Sequence, residues 1–476
     1  MTRHELPRRQ FLKSVGAAAI AGPAILKRAA EATTPRRRPN VLMIVADDQR
    51  HDTIAALGNE FSHTPTLDRL AREGFAFTRA RCMGSQQGAV CVPSRAMLHT
   101  GRTLFRVPDD LGNYPMLGEV LQKAGYTSFG CGKWHNRPTS FARGFNAGAN
   151  IFFGGMHDQY NTPVHDYSPT GSYPAKAAHA GSKFSSELFA DAAVDFLRGQ
   201  KSQPKPFFCY LAFTSPHDPR TPPAPYKTMY DPARMPLPAN FLPQHPFDNG
   251  EMKVRDELLA PFPRTEADTR QQLCDYYGMV SSQDAQVGRL LAALEESGHA
   301  DHTIIVYTGD HGLAIGSHGL FGKQNVYEHS ASIPLLMTGP GIPRGGRSDA
   351  LVYGFDIFPT LCNLLNIDPP NSIEGKSLDP IIAGREQAVR DSAFHTYIHP
   401  NKGKAADTQH AVNDGRWKYI RYDVKGQTRV QLFDLQNDPE EIHDLVEDAA
   451  ASKELPRLAK LLARWQADLA DPTLRA

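Results

Sequence analysis

Four apolar runs of strand length each deliver charged or imidazole-bearing residues just past their ends, and this repeated arrangement constrains the fold of the 476-residue chain more than any other feature. Residues 40–46 are almost wholly apolar, as expected of a central strand covered on both faces, and run straight into Asp47-Asp48. A weaker strand at 126–130 leads to Lys133 and His135, one at 207–213 leads to His217, and one at 303–308 leads to Asp310-His311. Helical stretches such as 186–198 and 280–297 supply the crossovers. The expectation is an α/β fold with a large, mostly parallel sheet flanked by helices. Ligands bind beyond the carboxyl ends of the strands in such sheets, which would gather these scattered positions into one site. Taken singly, each group has an ordinary use: Asp47-Asp48 as a cap or turn, Lys133 as a solvated loop residue, His217 as a satisfied core histidine.

The pattern changes near residue 385. Asn413-Asp414-Gly415 is a hairpin signal, 416–422 alternates, and 452–469 has helical apolar spacing. We therefore divide the chain into a large domain at 33–385 and a smaller C-terminal α+β subdomain with an antiparallel sheet at 386–476. Segments 137–180 and 218–268 are rich in Pro, Gly and polar residues, too long for plain connections, and are assigned as pocket walls. They and the C-terminal part offer His157, Asp158, Arg220, His399 and Lys402 as candidates for recognising a leaving group, although each also fits a solvated surface.

The N-terminus carries an address. Pro7-Arg8-Arg9-Gln10-Phe11-Leu12-Lys13, a Gly- and Ala-rich apolar stretch and Ala30-Glu31-Ala32 form a twin-arginine export signal over 1–32. The stretch is too short and too weakly apolar to span a bilayer, so export to the periplasm or beyond is expected, with no transmembrane span in the mature protein. Removing it changes Lys+Arg against Asp+Glu from 52 and 51 to 46 and 49, about −3, which indicates no basic field for nucleic acid. Cys82, Cys91, Cys131, Cys209, Cys274 and Cys362 are widely spaced and form no disulfide framework.

Within this plan the run Cys91-Val92-Pro93-Ser94-Arg95-Ala96-Met97-Leu98-His99-Thr100-Gly101-Arg102 has little reason to occur for packing alone. Pro93 fits a first helical turn, Ala96, Met97 and Leu98 can face a core, and Thr100-Gly101 offers a stop. Position 91 then sits at a helix N-terminus, where free N–H groups favour an anion. The run resembles the signature of the sulfatase family, whose alkaline-phosphatase-like fold suits the strand pattern. The resemblance extends to Asp47-Asp48, Gly132-Lys133-Trp134-His135, Ser215-Pro216-His217, Thr308-Gly309-Asp310-His311-Gly312, Gly322-Lys323, Leu432-Phe433-Asp434-Leu435 and Asp438-Pro439-Glu440.

The resemblance implies that Cys91 is oxidised to formylglycine by a cytoplasmic maturation enzyme before export of the folded chain. One hydroxyl of the aldehyde hydrate would attack sulfur, and the second would later expel sulfate. Asp47, Asp48, Asp310 and His311, with position 91, would hold one divalent cation: Ca2+ is favoured, Mg2+ or another ion remains open. Arg95 would neutralise the nucleophile and carboxylates, while Lys133 and Lys323 would grip sulfate as point charges. His217 or Lys323 would protonate the departing alcohol and His135 would deprotonate the second hydroxyl. Val92 and His99 depart from the small and apolar residues usual at their positions. His318 is taken as structural. Scarce tryptophan, only Trp134, Trp417 and Trp465, favours a sulfated carbohydrate over a flat aryl ester. A phosphate or phosphonate ester hydrolase of the same fold and an inactive exported binding protein are the alternatives.

Overall fold

The computed structural model describes residues 37–399 and 406–475. The segment 1–32, expected to be an export signal, and Lys402 lie outside the described residues. The main strands are β1 (Asn40–Ala46), β2 (Phe75–Phe77), β3 (Gly84–Ser85), β4 (Thr127–Lys133), β5 (Ala147–Phe152), β6 (Phe207–Ala212), β7 (Thr303–Gly309), β8 (Leu335–Thr338), β9 (Gly346–Ser348), β10 (Ala393–His399), β11 (Asp407–Asn413), β12 (Trp417–Val424) and β13 (Gln427–Asp434). Four helices matter most here: α1 (Cys91–Thr100), α2 (Ser185–Gly199), α3 (Glu266–Glu296) and α4 (Leu455–Leu469).

Eight strands form the large sheet in the order β9-β2-β8-β7-β1-β6-β4-β5. β1 pairs in parallel with both β6 and β7, and β4 pairs in parallel with β5 and β6, whereas β8 is antiparallel to β7 and β2. The near-continuous apolar sequence of β1 follows from this central place. Val41, Met43 and Val45 enter one core with Ala96, Met97 and Leu98 of α1, while Leu42, Ile44 and Ala46 enter the other with residues of α2 and α3. Burying a Leu- or Ile-sized side chain contributes about 1.5–3 kcal/mol, so each face of this single strand is anchored by several such contributions.

A second sheet, β13-β12-β11-β10-β3, is antiparallel except that β10 runs parallel to β3. The short β3 belongs to the chain just before Cys91, so the small sheet reaches the segment leading into α1. By internal packing, residues 39–476 form one unit.

Two differences from the sequence reading concern element limits. The 126–130 strand is displaced to Thr127–Lys133, which puts Lys133 on the strand's last position. Gly132 makes the extension possible: its φ is +82°, and a Cβ there would lie 1.9 Å from the Ala212 carbonyl oxygen. Helix α3 begins at Glu266, far ahead of the expected residue 280, and the Thr265 hydroxyl caps it by accepting from Asp268 N. Among the described residues all six cysteines are free and buried, and no helix is long and apolar enough to cross a membrane.

Candidate active site

The four strands β7-β1-β6-β4 are neighbours, and sheet pairing continues past their ends. Asp310 N donates to the Ala46 carbonyl at 3.2 Å, Phe213 N to Val45 at 2.8 Å, and Asp47 N to Ser215 at 3.1 Å. This fixes Asp47, Asp48, Lys133, His217 and Asp310 along one sheet edge, as the sequence pattern requires. Asp48 and His135 adopt left-handed backbone conformations, φ +61° and +58°, of the kind that over-determined sites sustain.

Helix α1 brings its N-terminus to this edge. It spans Cys91–Thr100 and ends in left-handed Gly101, in accord with the Pro93 start and Thr100-Gly101 stop. Cys91 Sγ is 3.0 Å from His135 Nδ1 and 3.6 Å from Lys133 Nζ. Ser94 Oγ donates to the Asp310 carbonyl at 2.6 Å, and one turn from Cys91 the fully buried Arg95 donates from Nε to Asp310 Oδ2 at 3.0 Å and from Nη1 to the Lys133 carbonyl at 2.7 Å. The Val92 carbonyl accepts from Asn136, and His99 packs 4.5 Å from the Trp134 ring, so both departures from the motif have packing roles.

The charged floor is dense. Lys133 Nζ donates to Asp47 Oδ2 at 2.5 Å, and Lys323 Nζ donates to both Asp48 oxygens at 2.8 and 3.1 Å. Asp48 Oδ1 is also 3.2 Å from His311 Nε2, and Asp48 Oδ2 is 3.8 Å from His217 Nε2. Both imidazoles are oriented by carbonyls: His311 Nδ1 donates to Gly312 O at 3.0 Å and His217 Nδ1 to Asp218 O at 2.8 Å, so each turns Nε2 towards Asp48. Burial opposes a thiolate, yet Lys133, His135 and Lys323 hold Cys91 well below the usual thiol range. Burial likewise opposes charge on Asp310, which His311, Arg95 and Lys133 nevertheless keep below the carboxylate range. For Asp47 burial wins over Lys133 and raises the carboxyl well above its ordinary value. His311, which burial would lower, is pushed up to about 9 by Asp310 and Asp48.

Asp47, Cys91, Asp310 and His311 place one donor atom each within 4.8 Å of one another. Asp47 Oδ1 and His311 Nε2 are buried with no hydrogen-bond partner. Hard carboxylate oxygens joined by one imidazole fit a divalent cation. Asp48 groups with His217 and Asp218, while its Oδ1 also lies 3.2 Å from His311 Nε2 and both its oxygens accept from Lys323.

The outer candidates are not brought to this floor. His157 and Asp158 are exposed, and Asp158 serves its own turn by accepting from Tyr160 N. His399 lies 2.6 Å from the buried Glu251 carboxylate. Arg220 is buried, against the expectation of a solvated residue. His318 stacks on Tyr327 at 3.9 Å, a packing role. Sequence reasoning missed Asp218, whose carboxylate pairs with Arg255 and lies 3.3 Å from His217 Nδ1, and Asp256, which accepts from Gln324 beside Lys323. Adjacency to His217 was the available signal for Asp218.

A sulfatase family model matches residues 39–367, and a model described as N-sulphoglucosamine sulphohydrolase, C-terminal, matches 316–468. An arylsulfatase of Clostridium perfringens is 29% identical over 476 aligned residues, covering 90% of this chain and 94% of that protein. A solved structure of a protein in complex with its substrate D-glucosamine-2-N,6-O-disulfate superimposes with TM-score 0.75 at 24% identity, covering 91% of this chain and 99% of the other. The phosphonate monoester hydrolase of Agrobacterium radiobacter gives TM-score 0.72 at 24% identity, covering 91% and 96%. These two structures bear on the fold alone, which is alkaline-phosphatase-like. Because the family model runs from the first strand through all four strand ends and the Cys91 helix, the chain belongs to the sulfatase family and is a sulfuric ester hydrolase.

Proposed function

We propose that the protein hydrolyses sulfate monoesters of a saccharide, with position 91 matured to formylglycine and one divalent cation, Ca2+ in the first instance, held by Asp47, Asp48, Asp310 and His311. The observation that carries this reading is the convergence of Cys91 Sγ, His135 and Lys133 at the end of α1, against the carboxylates of Asp47 and Asp310. The thiol of Cys91 stands here for the oxygen nucleophile. A formylglycine hydrate supplies two hydroxyls, one to attack sulfur and one to release the sulfo group. The cation, when bound, supplies positive charge for the nucleophile and for the sulfate oxygens.

The chain's own residues do the rest. Lys133 and Lys323 set two ammonium groups on the floor for the nonbridging oxygens. Arg95 neutralises Asp310 from beneath. His135, 3.0 Å from the atom at position 91, is within proton-transfer reach of it. His217, with Nδ1 donating to a carbonyl, turns Nε2 to the side on which the alcohol departs, and Lys323 lies beside the same carboxylate. A sugar alkoxide needs this proton more than a phenolate does, so His217→Ala should lose more rate on a sulfated sugar than on an activated aryl sulfate. Maturation in the cytoplasm and export through the twin-arginine route complete the reading, with the large and small domains divided near residue 385.

The test is a parallel assay of sulfated saccharides, phosphonate monoesters and phosphate monoesters, with protein co-produced with a maturation enzyme. We expect kcat/KM at least about tenfold higher on the sulfate ester, a formylglycine mass at position 91, and loss of turnover together with a lower Tm on chelation. Preference for phosphonate or phosphate would favour that second chemistry, and full activity without any divalent metal would refute the cation.

A further inference from the structure

Arg220 follows His217 by three residues, a span of at most about 11 Å even when fully extended. It is only 9% exposed, yet among its donors only Nη1 is engaged, on Gln272 Oε1 at 2.7 Å in helix α3. Nε and Nη2 are buried with no hydrogen-bond partner. These two N–H groups lie on the same edge of the guanidinium plane and point in parallel, the edge that grips carboxylates and sulfates with two bonds. A buried charged donor left bare is destabilising, so this edge requires an acceptor.

The nearby carboxylates are committed elsewhere. Both Asp218 oxygens accept from Arg255, and Oδ1 also faces His217 Nδ1 at 3.3 Å. Asp275, whose carboxyl feels the charge of Arg220, accepts at Oδ1 from Gln271 Nε2 at 3.2 Å. Gln272 fixes the far side of the guanidinium, which orients the bare edge rather than satisfying it. Arg220 therefore differs from Arg95, whose Nε and Nη1 are consumed by the catalytic floor.

We infer that Arg220 is a second oxyanion subsite: it receives a carboxylate or a second sulfate carried by the same saccharide whose sulfate ester is cleaved beside His217. This rests on the saccharide-sulfate reading above and narrows the substrate to a doubly anionic sugar. The ester being cleaved meets the floor, and the retained oxyanion meets the fork. Arg220 binds and does not take part in bond breaking, so its effect falls mainly on KM.

Three saccharides of one backbone test this: one carrying the scissile sulfate alone, one with a second sulfate, and one with a uronate carboxylate, with p-nitrophenyl sulfate as a control that carries no second oxyanion. Arg220→Gln should lower kcat/KM by about 30-fold on one or both doubly anionic saccharides, mostly through KM, and by less than about threefold on the other two substrates. Whichever of the sulfate and carboxylate arms responds identifies the group. Arg220→Lys, which keeps the charge but lacks the fork, should recover only part of the loss. Equal losses on all four substrates would assign Arg220 a structural role and overturn the inference, as would unchanged kinetics on both doubly anionic sugars. Calorimetric titration of the Cys91→Ala protein and its Arg220→Gln derivative with the disulfated and uronate saccharides reads the same point without turnover: weaker binding in the derivative supports the fork, and equal Kd values contradict it. A wild-type protein inactive on every sulfate ester would fail the saccharide-sulfatase reading instead, while this binding comparison would still decide on Arg220.

Discussion

The catalytic floor and the junction between the two sheets are both buried ionic clusters, but they are finished differently. At the junction Arg81 donates to both Glu328 oxygens at 3.2 and 3.1 Å, Lys418 Nζ lies 3.0 Å from Glu328 Oε1 and 2.7 Å from Glu441 Oε1, and Glu328 N donates to Glu441 Oε2 at 2.7 Å. Every carboxylate oxygen there has a nitrogen within 3.2 Å, although Glu441 Oε1 meets Lys418 as an ion pair without a hydrogen bond and Arg81 Nε has no acceptor. On the floor, Asp47 Oδ1 has only Arg95 Nη2, at 3.7 Å, and both atoms lack a hydrogen bond, as does His311 Nε2. The difference lies in how near the counter-charge stands: 2.7 Å from Glu441 Oε1, which ties segments together, against 3.7 Å from Asp47 Oδ1, which leaves that oxygen available to a ligand. Charge and burial alone do not separate the two, since Glu441, like Asp47, is raised by burial, to about 7.

The comparison breaks most visibly if the floor can be edited cheaply. Asp310→Ala removes a carboxylate shared by Arg95, the Asp48 amide and the His311 amide, and should reduce kcat by more than about 10³-fold in protein that remains folded. Near-normal turnover in steady-state assays would sink its assignment to the site.

The junction should respond in the opposite sense. Lys418→Met leaves Glu328 and Glu441 buried without their shared ammonium, and should cost about 3–5 kcal/mol in denaturant unfolding while kcat stays within a few-fold of wild type. A large loss of kcat with unchanged stability would show that the junction acts on chemistry through the Lys323 loop.

The smallest expected effect sharpens the boundary between the two clusters. His99 sits behind the catalytic helix, and burial, aided by Arg95, lowers its pKa to about 3. The unfolded chain therefore binds a proton that the folded one refuses: stability present above about pH 6.5 is lost as pH falls towards 3, at up to roughly 1.4 kcal/mol per pH unit. His99→Phe should flatten the pH dependence of unfolding free energy in that window. An unaltered slope would mean that other groups govern acid sensitivity.

Much of the floor was legible in the sequence because each member lies within a few residues of an apolar strand end, and parallel pairing turns such ends into neighbours. Asp47, Asp48, Lys133, His217 and Asp310 follow from that rule, and Cys91 and Arg95 from one helical turn. The early start of α3 was not legible, since residues 266–279 mix polar groups with apolar ones that pack against loops rather than against the sheet; Thr265 and Asp268 were the cap signal. Nor could residue type alone reveal that Arg220 is buried or that β3, two residues long, joins β10 across hundreds of positions. Those are outcomes of long-range packing, which periodicity does not encode.

The most direct measurement is inorganic sulfate released from a sulfated saccharide by the protein co-produced with a maturation enzyme, set beside the Cys91→Ala variant at matched Tm. The account predicts stoichiometric sulfate and desulfated sugar from the former and a rate lower by more than about 10⁴-fold from the latter. Equal sulfate release by the two proteins would contradict it.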